Sequence, residues 1–210
     1  LKGDFDPVTS RGKHLNYQDW NKLITDPNTI ILDVRNNYET EIGTFKNSII
    51  PKMDNLTEFP HFVDKELSEI KKKKIAMFCT GGIRCEIASS FMMNEGFEDV
   101  YQLDGGILRY LKDVQEENLW EGECFVFDER VTVDKSLKPG SFLQCFGCRR
   151  PLSKTDLESK YYKKGISCHK CYNISSKKDK ERFSQRQLQI DLAEERGHVH
   201  MGANAKQNKI

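Results

Sequence analysis

The chain has 210 residues, of which 37% are hydrophobic and 31% are charged, and its formal net charge is +1 at pH 7. This length exceeds the usual size of a single domain, and the hydrophobic fraction is sufficient for a packed core. No apolar run approaches the roughly 20 residues that cross a bilayer, so a membrane-spanning protein is excluded.

The beginning of the chain does not resemble an export signal, because residues 1–14 are polar and include Gly, Pro and Ser. The seven cysteines include two CxxC pairs, and without an export signal these favour thiolates or metal ligands over disulfides. We therefore expect a cytoplasmic location. Since the first residue is Leu, we also expect the numbered chain to begin inside a longer protein.

The first predicted strand is the hydrophobic segment at residues 30–35, which ends in Asp33-Val34-Arg35. Glu39 follows it, and a glycine-containing return segment, IGTFKNSIIP, occupies residues 42–51. We interpret Asp33, Arg35 and Glu39 as a structural charge network that orients loops and does no chemistry itself.

The second predicted strand covers residues 75–78, and apolar residues at helical spacing predict a helix from about Arg84 through Met92. The segment between them, residues 79–85, has the sequence CTGGIRC. Cys79 therefore lies in a turn below a helix N-terminus. Inward-pointing backbone N–H groups and the helix dipole stabilise a thiolate there, so we expect the pKa of Cys79 to lie below the free-thiol value of about 8.5.

The size of this loop indicates its chemistry. The spacing from Cys79 to Arg84 is C-x4-R, whereas cysteine phosphatases use a wider C-x5-R ring, and position 85 is a cysteine. The tight loop suits one terminal sulfur or a small oxyanion, and it resembles the active loop of the rhodanese fold, which carries a persulfide on its first cysteine. The simpler alternative is a buried cysteine in a glycine-rich turn. The predicted site comprises Cys79 and Arg84 as catalytic groups, Thr80, Gly81, Gly82 and Ile83 as the active-site loop, and Cys85 as a secondary thiol.

A further predicted strand at residues 100–103 precedes Asp104-Gly105-Gly106 and a helix from Leu108, which resembles the last strand, turn and helix of the rhodanese fold. Alternating strands and helices predict a three-layer α/β/α domain with a mainly parallel sheet covered on both faces. Ligands of such sheets bind at the carboxyl ends of the strands, where Cys79 lies.

Two CxxC pairs, Cys145 with Cys148 and Cys168 with Cys171, are separated by 19 residues. This spacing predicts a four-cysteine zinc site, and a full set of cysteines makes the zinc structural. Zinc binding would supply folding free energy to a segment too small for a large core. A redox dithiol or four free thiols are the alternatives. His169 could replace one cysteine as a ligand, but its place inside a pair favours its interpretation as a bystander.

Charge is distributed unevenly along the chain. Residues 145–210 contain 15 Lys and Arg against 7 Asp and Glu, a net charge of +8, which leaves −7 for the remainder. A solvent-exposed helix is predicted C-terminal to the cysteine pairs, and its apolar residues form only an irregular stripe. A run of like charges usually forms only a solvent-exposed face of a helix. The position of this basic helix next to a zinc module nevertheless favours nucleic acid as the partner. The predicted nucleic-acid-binding residues are Arg149, Arg150, Lys177, Lys178, Lys180 and Arg182.

Four motifs together give a closer resemblance. They are CTGGIRCE at residues 79–86, WEGECFVFDERVTV at 120–133, the two CxxC pairs and ERxxxRQxQ at 181–189. In combination they resemble the bacterial rhodanese-domain family of tRNA uridine hydroxylases, over nearly the whole chain from about Asn16 to Gly202. That family ordinarily carries an additional small N-terminal domain, which is absent from this sequence, so we expect residues 1–15 to be the linker that follows it.

The resemblance implies oxygen-dependent conversion of the wobble uridine of certain tRNAs to 5-hydroxyuridine, with Cys79 needed for activity and molecular oxygen as co-substrate. The residues themselves do not explain the oxygen chemistry. A non-haem iron site would need two histidines and a carboxylate, and the paired His198 and His200 lie in a tail where solvated histidines are expected. No dinucleotide-binding fingerprint occurs in the sequence.

Two other classes of function stay open. One is a thiosulfate-type sulfurtransferase that acts through a Cys79 persulfide, and the other is a non-enzymatic zinc-anchored RNA-binding protein on a rhodanese scaffold. The predicted domains are a linker at 1–15, a rhodanese domain at 16–125, a connecting segment at 126–144, a zinc module at 145–175, and a basic helix and tail at 176–210.

Overall fold

The structure is a computed structural model that describes residues 6, 7 and 10–197. It divides into two compact units, Leu1–Gly140 and Ser141–Ile210. His198, His200, the end of the predicted tail and most of the first ten residues of the predicted linker lie outside the described residues.

The first unit alternates strands and helices along the chain. Its strands are β1 (Lys13–Leu15), β2 (Thr29–Asp33), β3 (Gly43–Phe45), β4 (Lys74–Phe78), β5 (Val100–Leu103), β6 (Trp120–Gly122), β7 (Cys124–Phe125) and β8 (Thr132–Val133). Its α-helices are α1 (Tyr17–Thr25), α2 (Asn37–Thr40), α3 (Phe59–Phe62), α4 (Ile83–Asn94) and α5 (Gly106–Asp113). Shorter helical turns of other types are Leu56–Glu58, Val63–Leu67 and Ser68–Ile70.

Four of these strands form the central sheet, in the order β1-β5-β4-β2, and every pairing in it is parallel. Successive residues of β4 point to opposite faces: Ile75 and Met77 join one hydrophobic cluster with α3 and α4, whereas Ala76 and Phe78 join a second with α1 and α5. Burial on both faces explains why β4 is a continuous apolar run. The predicted α/β domain with a parallel sheet is confirmed.

The second cluster contains an aromatic group centred on Phe45. Its ring makes edge-to-face contacts with Phe78, Tyr110 and Trp120, with centroids 4.9–5.2 Å apart. Such contacts add to the free energy gained by burial. They join β4 to α5 and to the short β3–β6 ribbon, so the ribbon is part of the core of the unit.

Two stretches differ from their predicted roles. Residues 13–15, assigned to the linker, instead form β1, the edge strand that pairs with β5. Residues 124–133 form the antiparallel β7–β8 ribbon, whose Val126 and Val133 are buried in the same cluster as Trp120. The first part of the predicted connecting segment therefore belongs to the core of the first unit. The other domain boundaries stay predictions.

The second unit is built on a small hairpin and a long helix. Its elements are β9 (Leu143–Gln144), β10 (Pro151–Leu152), α6 (Lys154–Leu157) and α7 (Lys177–Glu195). Strands β9 and β10 are antiparallel, and the hydroxyl of Ser176 caps α7 by accepting a hydrogen bond from the backbone N–H of Asp179. Arg186, on α7, donates hydrogen bonds to the carbonyls of Phe146 and Gly165 and so attaches the helix to the cysteine-bearing segments.

Among the residues that the structure describes, no helix has both the length and the apolar character needed to span a membrane.

Candidate active site and metal centre

The loop that follows β4 is held by the first turn of α5. The carbonyls of Cys79 and Thr80 accept hydrogen bonds from the backbone N–H groups of Ile107 and Leu108, at 2.9 and 3.1 Å. The loop therefore lies between two helix N-termini, that of α4 along the chain and that of α5 across the sheet. This arrangement places Cys79 at the carboxyl end of β4, as the sequence predicted.

Gly106 allows this close approach. Its φ is +66°, and a Cβ atom there would lie 2.5 Å from the carbonyl oxygen of Cys79 and 2.7 Å from the backbone nitrogen of Gly82. Both atoms belong to the backbone and cannot move aside without changing the loop. A glycine is therefore required at position 106 for the loop to keep its shape.

The thiol of Cys79 is buried and accepts a hydrogen bond from the backbone N–H of Gly82 at 3.1 Å. The neighbouring thiol of Cys85, acting as a hydrogen-bond donor, lowers the pKa of Cys79 to about 6. Burial opposes this shift, whereas the charge of Arg84 and nearby backbone N–H groups reinforce it. Cys79 is therefore largely a thiolate at neutral pH.

Cys85 has the opposite character. Burial raises its pKa well above the usual thiol value, and the adjacent Cys79 sulfur adds to this shift. At neutral pH the pair thus consists of one thiolate, Cys79, and one protonated thiol, Cys85. The roles of Cys79 as nucleophile and of Cys85 as secondary thiol stay predictions.

Arg84 is anchored by Glu39. Its guanidinium donates to both carboxylate oxygens, at 2.5 and 2.7 Å, and Glu39 is fully buried. The hydroxyl of Thr80 also donates to this carboxylate, at 3.1 Å, and the backbone N–H of Asn36 does so at the same distance. Glu39 therefore ties the loop to α2, a connection that the sequence did not predict.

Asp33 and Arg35 form a second ion pair, which is fully buried. The Arg35 guanidinium donates to both Asp33 oxygens, at 2.8 and 2.6 Å, and to the carbonyl of Gly43. Its carbon atom lies 5.1 Å from the centre of the Trp120 ring. Because the pair is fully buried and has no contact with the cavity described next, it serves a structural purpose, which agrees with the interpretation from the sequence.

A cavity of about 400 Å³ opens above Cys79. It is lined by Cys79, Thr80, Gly81, Ile83, Arg84, Leu108, Val126, Phe127 and Asp128. Of the predicted loop residues, Gly82 and Cys85 do not line it. The sequence did not predict Leu108 or the three residues that follow β7. One feature of the sequence could have indicated these residues: Phe127 is an aromatic residue between two short strand-like segments of WEGECFVFDERVTV.

The four predicted zinc ligands meet in the second unit. The sulfurs of Cys145 and Cys171 are 3.9 Å apart, and Cys168 lies 3.7 Å from Cys148 and 3.8 Å from Cys171. Zinc–sulfur bonds of about 2.3 Å in a tetrahedron put neighbouring sulfurs about 3.8 Å apart. The geometry therefore fits one tetrahedral zinc ion. His169 is not among the four ligands, and its Nδ1 lies 3.5 Å from the carboxylate of Asp156.

The predicted nucleic-acid-binding residues all lie in the second unit. Arg149 and Arg150 occupy the turn between β9 and β10, whereas Lys177, Lys178, Lys180 and Arg182 lie in the first two turns of α7. Arg182 forms an ion pair with Asp179 at 3.0 Å, and the ammonium of Lys180 lies over the ring of Tyr172. Lysines at this end of a helix are unfavourable for its dipole, so the dipole does not account for their clustering. Their contact with nucleic acid stays a prediction.

Comparison with known proteins shows what part of the first unit is similar to. Residues 16–113 match the family model described as "Rhodanese-like domain". Similar solved structures include a rhodanese-related protein from Thermoplasma volcanium (24% identity, TM-score 0.39, 48% of this chain and 92% of that chain). A rhodanese-like domain from Anabaena sp. has 20% identity and a TM-score of 0.42, covering 52% of this chain and 78% of that chain. A rhodanese-like domain protein from Staphylococcus aureus has 23% identity and a TM-score of 0.39, covering 51% of this chain and 95% of that chain.

Proposed function

We propose that the protein is a tRNA-modifying enzyme that hydroxylates the wobble uridine to 5-hydroxyuridine, and the premise is the match of residues 16–113 to the model of the rhodanese-like domain. Cys79 is the nucleophile in this proposal. The assignment to uridine hydroxylation comes from the resemblance of the chain's motifs to those of the tRNA uridine hydroxylases, which implies molecular oxygen as the co-substrate. One oxygen atom becomes the hydroxyl group at C5, and the other leaves as water with two electrons from a reductant. Loss of the C5 hydrogen as a proton then restores the double bond and releases Cys79 as the thiolate.

One observation carries the proposal: a thiol with a pKa of about 6 lies at the base of a cavity of about 400 Å³. A single sulfur atom needs far less space, whereas cavities of about 300–1,000 Å³ are typical of sites for small organic molecules. A thiolate is also the nucleophile suited to uracil, because its addition to the electron-poor C6 makes C5 electron-rich, and C5 is the carbon that receives the hydroxyl group.

The charge of the second unit supports RNA as the substrate. Residues 145–210 carry a net charge of +8, and Lys177, Lys178 and Arg182 of α7 are exposed to solvent. Neutralisation of phosphates by such groups supplies affinity that does not depend on sequence. The loop of an RNA hairpin presents unstacked bases that enter a pocket at low cost in free energy.

The described residues then have separate tasks. Cys79 provides the nucleophile, and the N–H of Gly82 stabilises its negative charge. Arg84 adds positive charge and is kept in place by Glu39. Within the zinc module, Cys145, Cys148, Cys168 and Cys171 would hold the metal, whose contribution when bound is to stabilise the fold of the second unit.

A second candidate, a sulfurtransferase, is favoured by the tightness of the loop. The N–H of Gly82 lies 3.1 Å from the Cys79 sulfur, and further N–H groups of the loop stabilise the same charge. A persulfide on Cys79 would use the same donors for its terminal sulfur. Both candidates require Cys79 and differ in the molecule that reacts with it.

The deciding experiment is mass spectrometry of tRNA nucleosides from cells that lack the full-length gene and from cells complemented with it. We expect 5-hydroxyuridine to depend on the gene, to disappear with Cys79→Ser and to persist with Cys85→Ser. Purified protein is assayed in parallel for cyanide-dependent sulfur transfer from thiosulfate. Sulfur transfer with unchanged tRNA nucleosides would replace the proposal by the second candidate.

A further inference from the structure

Two large apolar side chains are exposed at the mouth of the cavity above Cys79. Ile83 is 76% exposed and Phe127 is 70% exposed, although both line the cavity. Contiguous exposed apolar groups at a pocket are typical of a binding surface. Neither side chain contributes to the core, so their burial is expected only when a ligand is bound.

The ring of Phe127 is supported from behind by other aromatic rings. Its centroid lies 5.2 Å from that of Phe125, in an edge-to-face contact at 82°. Phe125 is buried and makes a similar contact with Tyr38, at 5.1 Å and 79°. One edge of Phe127 is thereby packed while much of its surface stays exposed to solvent.

The turn that carries Phe127 is also fixed. Asp128 accepts hydrogen bonds from the backbone and the guanidinium of Arg130, the shortest of them 2.6 Å. Val131 has a φ of +64°, a conformation that is rare for a β-branched residue. It is held by a hydrogen bond from the N–H of Val126 to its carbonyl, at 2.9 Å. Strained backbone that the surroundings enforce is concentrated at functional sites.

A second cavity adjoins the first and has a basic wall. Its volume is about 590 Å³, and it shares Gly81 and Leu108 with the first cavity. Its charged lining consists of three cationic residues, Arg109, Lys112 and Arg130, and one acidic residue, Asp113. Arg109 and Arg130 are paired with aspartates, whereas Lys112 is exposed and has no ion pair within the described part of the chain.

We propose that Phe127 and Ile83 hold the flat face of a nucleobase over Cys79, while a phosphate group of the same single-stranded RNA lies against Lys112 and Arg130. This inference rests on the proposed function and adds the residues that position its substrate. An apolar surface beside a cationic wall complements a nucleotide, which combines a flat ring with an anion. Stacking on an aromatic ring is a common way to hold an unpaired base.

Other occupants fit these observations less well. Thiosulfate is too small to cover both Ile83 and Phe127 while it reacts at Cys79. An apolar peptide would cover the two side chains but would leave Lys112 without a complementary charge. The nucleotide is the occupant that uses both cavities.

The test uses the full chain and an anticodon stem-loop RNA with 5-iodouridine at the wobble position, because iodouracil forms photo-crosslinks with aromatic rings that stack on it. We expect the crosslinked peptide to contain Phe127, and the crosslink to disappear with Phe127→Leu. Phe127→Ala should weaken binding of the unmodified RNA about fivefold or more, the lower range for the loss of one stacked base. Lys112→Ala should weaken binding and reduce the dependence of log K on log salt by about 0.7, the value for one contact to single-stranded RNA.

Ile49→Ala is the matched control, since it removes an exposed apolar side chain of the first unit that does not line either cavity. Its affinity for the RNA and the alkylation rate of its Cys79 should equal those of the parent. Absence of RNA binding, or a crosslink elsewhere with unchanged affinity of the Phe127 and Lys112 variants, overturns the inference. A crosslink at Phe127 without formation of 5-hydroxyuridine upholds it and rejects hydroxylation alone.

Discussion

The guanidinium of Arg84 is bound at two points by the carboxylate of Glu39, with nitrogen–oxygen distances of 2.5 and 2.7 Å. The two residues are 45 positions apart and join the active-site loop to α2. Arg84 therefore does not move freely as an anion receptor. Its position beside Cys79 is set by a buried acid whose remaining hydrogen bonds come from Thr80 and Asn36.

Replacement of Glu39 by glutamine should destabilise the first unit, because Arg84 would keep its charge and lose its partner. We expect the free energy of unfolding to fall by roughly 2–3 kcal/mol, as for the loss of a hydrogen-bonded charged group that is largely buried. Urea denaturation measures this change. Glu98→Gln, on an exposed side chain, is the control and should stay within about 0.5 kcal/mol of the parent. Equal stability of the two variants would contradict the structural importance of the ion pair.

The pH dependence of Cys79 alkylation should report the contribution of Cys85. The pKa of Cys79 is lowered to about 6, first by the Cys85 thiol, so the thiolate predominates above pH 6 and is lost below it. In the parent we expect the alkylation rate to rise with pH to half its maximum near pH 6. Cys85→Ala removes the donor and should move this midpoint upward, towards the ordinary thiol value. Cys85→Ser keeps a donor and should shift it less. A midpoint that is the same in all three proteins would exclude this role for Cys85.

Substitution of Gly106 by alanine should disrupt the loop, because the new Cβ would lie 2.5 Å from the Cys79 carbonyl oxygen. We expect the rate of Cys79 alkylation at neutral pH to fall at least tenfold as the hydrogen bonds to the thiolate are disturbed. Gly96 is the matched control: its φ is +87°, but a Cβ there meets nothing within 4 Å. Gly96→Ala should therefore cost only about 1 kcal/mol of stability and leave Cys79 unchanged. Similar alkylation of both variants would show that the loop tolerates a side chain at position 106.

Metal analysis of protein purified without added zinc should give one zinc ion per chain. The expectation follows from four sulfurs that lie within 4.8 Å of one another. Cys168→Ser should lose the metal and expose the second unit to proteolysis, while the first unit, with its own core, stays resistant. Cys124→Ala removes a cysteine of the first unit and should retain the metal. A zinc content near zero with a protease-resistant second unit would contradict the assignment.

Simultaneous replacement of Lys177, Lys178, Lys180 and Arg182 by alanine should weaken tRNA binding and flatten its dependence on salt. If each residue contacts one phosphate, the slope of log K against log salt falls by about 3 to 4. Filter binding over a series of salt concentrations measures it. The control replaces Lys65, Lys71, Lys72 and Lys73, which removes the same charge from the first unit. Equal binding by both variants would assign the RNA surface elsewhere, and the additional domain found in the resembled family would become the stronger candidate.

The sequence by itself determined the local features of both sites. An apolar run followed by CTGGIRC places a cysteine at the end of a buried strand, since a buried parallel strand and a helix at its end have distinct patterns. The two CxxC pairs likewise specify four sulfurs, because each pair spans one turn that presents both to the same ion. In both cases the residues that act together are close along the chain.

Only the tertiary structure decided which distant residues meet these motifs. Glu39 was correctly assigned to a charge network, but its binding of Arg84 depends on how α2 packs beside the loop. Phe127 reaches the cavity because the β7–β8 ribbon packs on the core of the first unit, 48 residues after Cys79. The reason is that the alternation of apolar and polar residues along a strand indicates which face of the sheet a side chain occupies. Which distant residue it contacts there depends on the order of the strands and on the paths of the loops. Strand order and loop paths are set by many long-range contacts together, and no single segment of the sequence specifies these contacts.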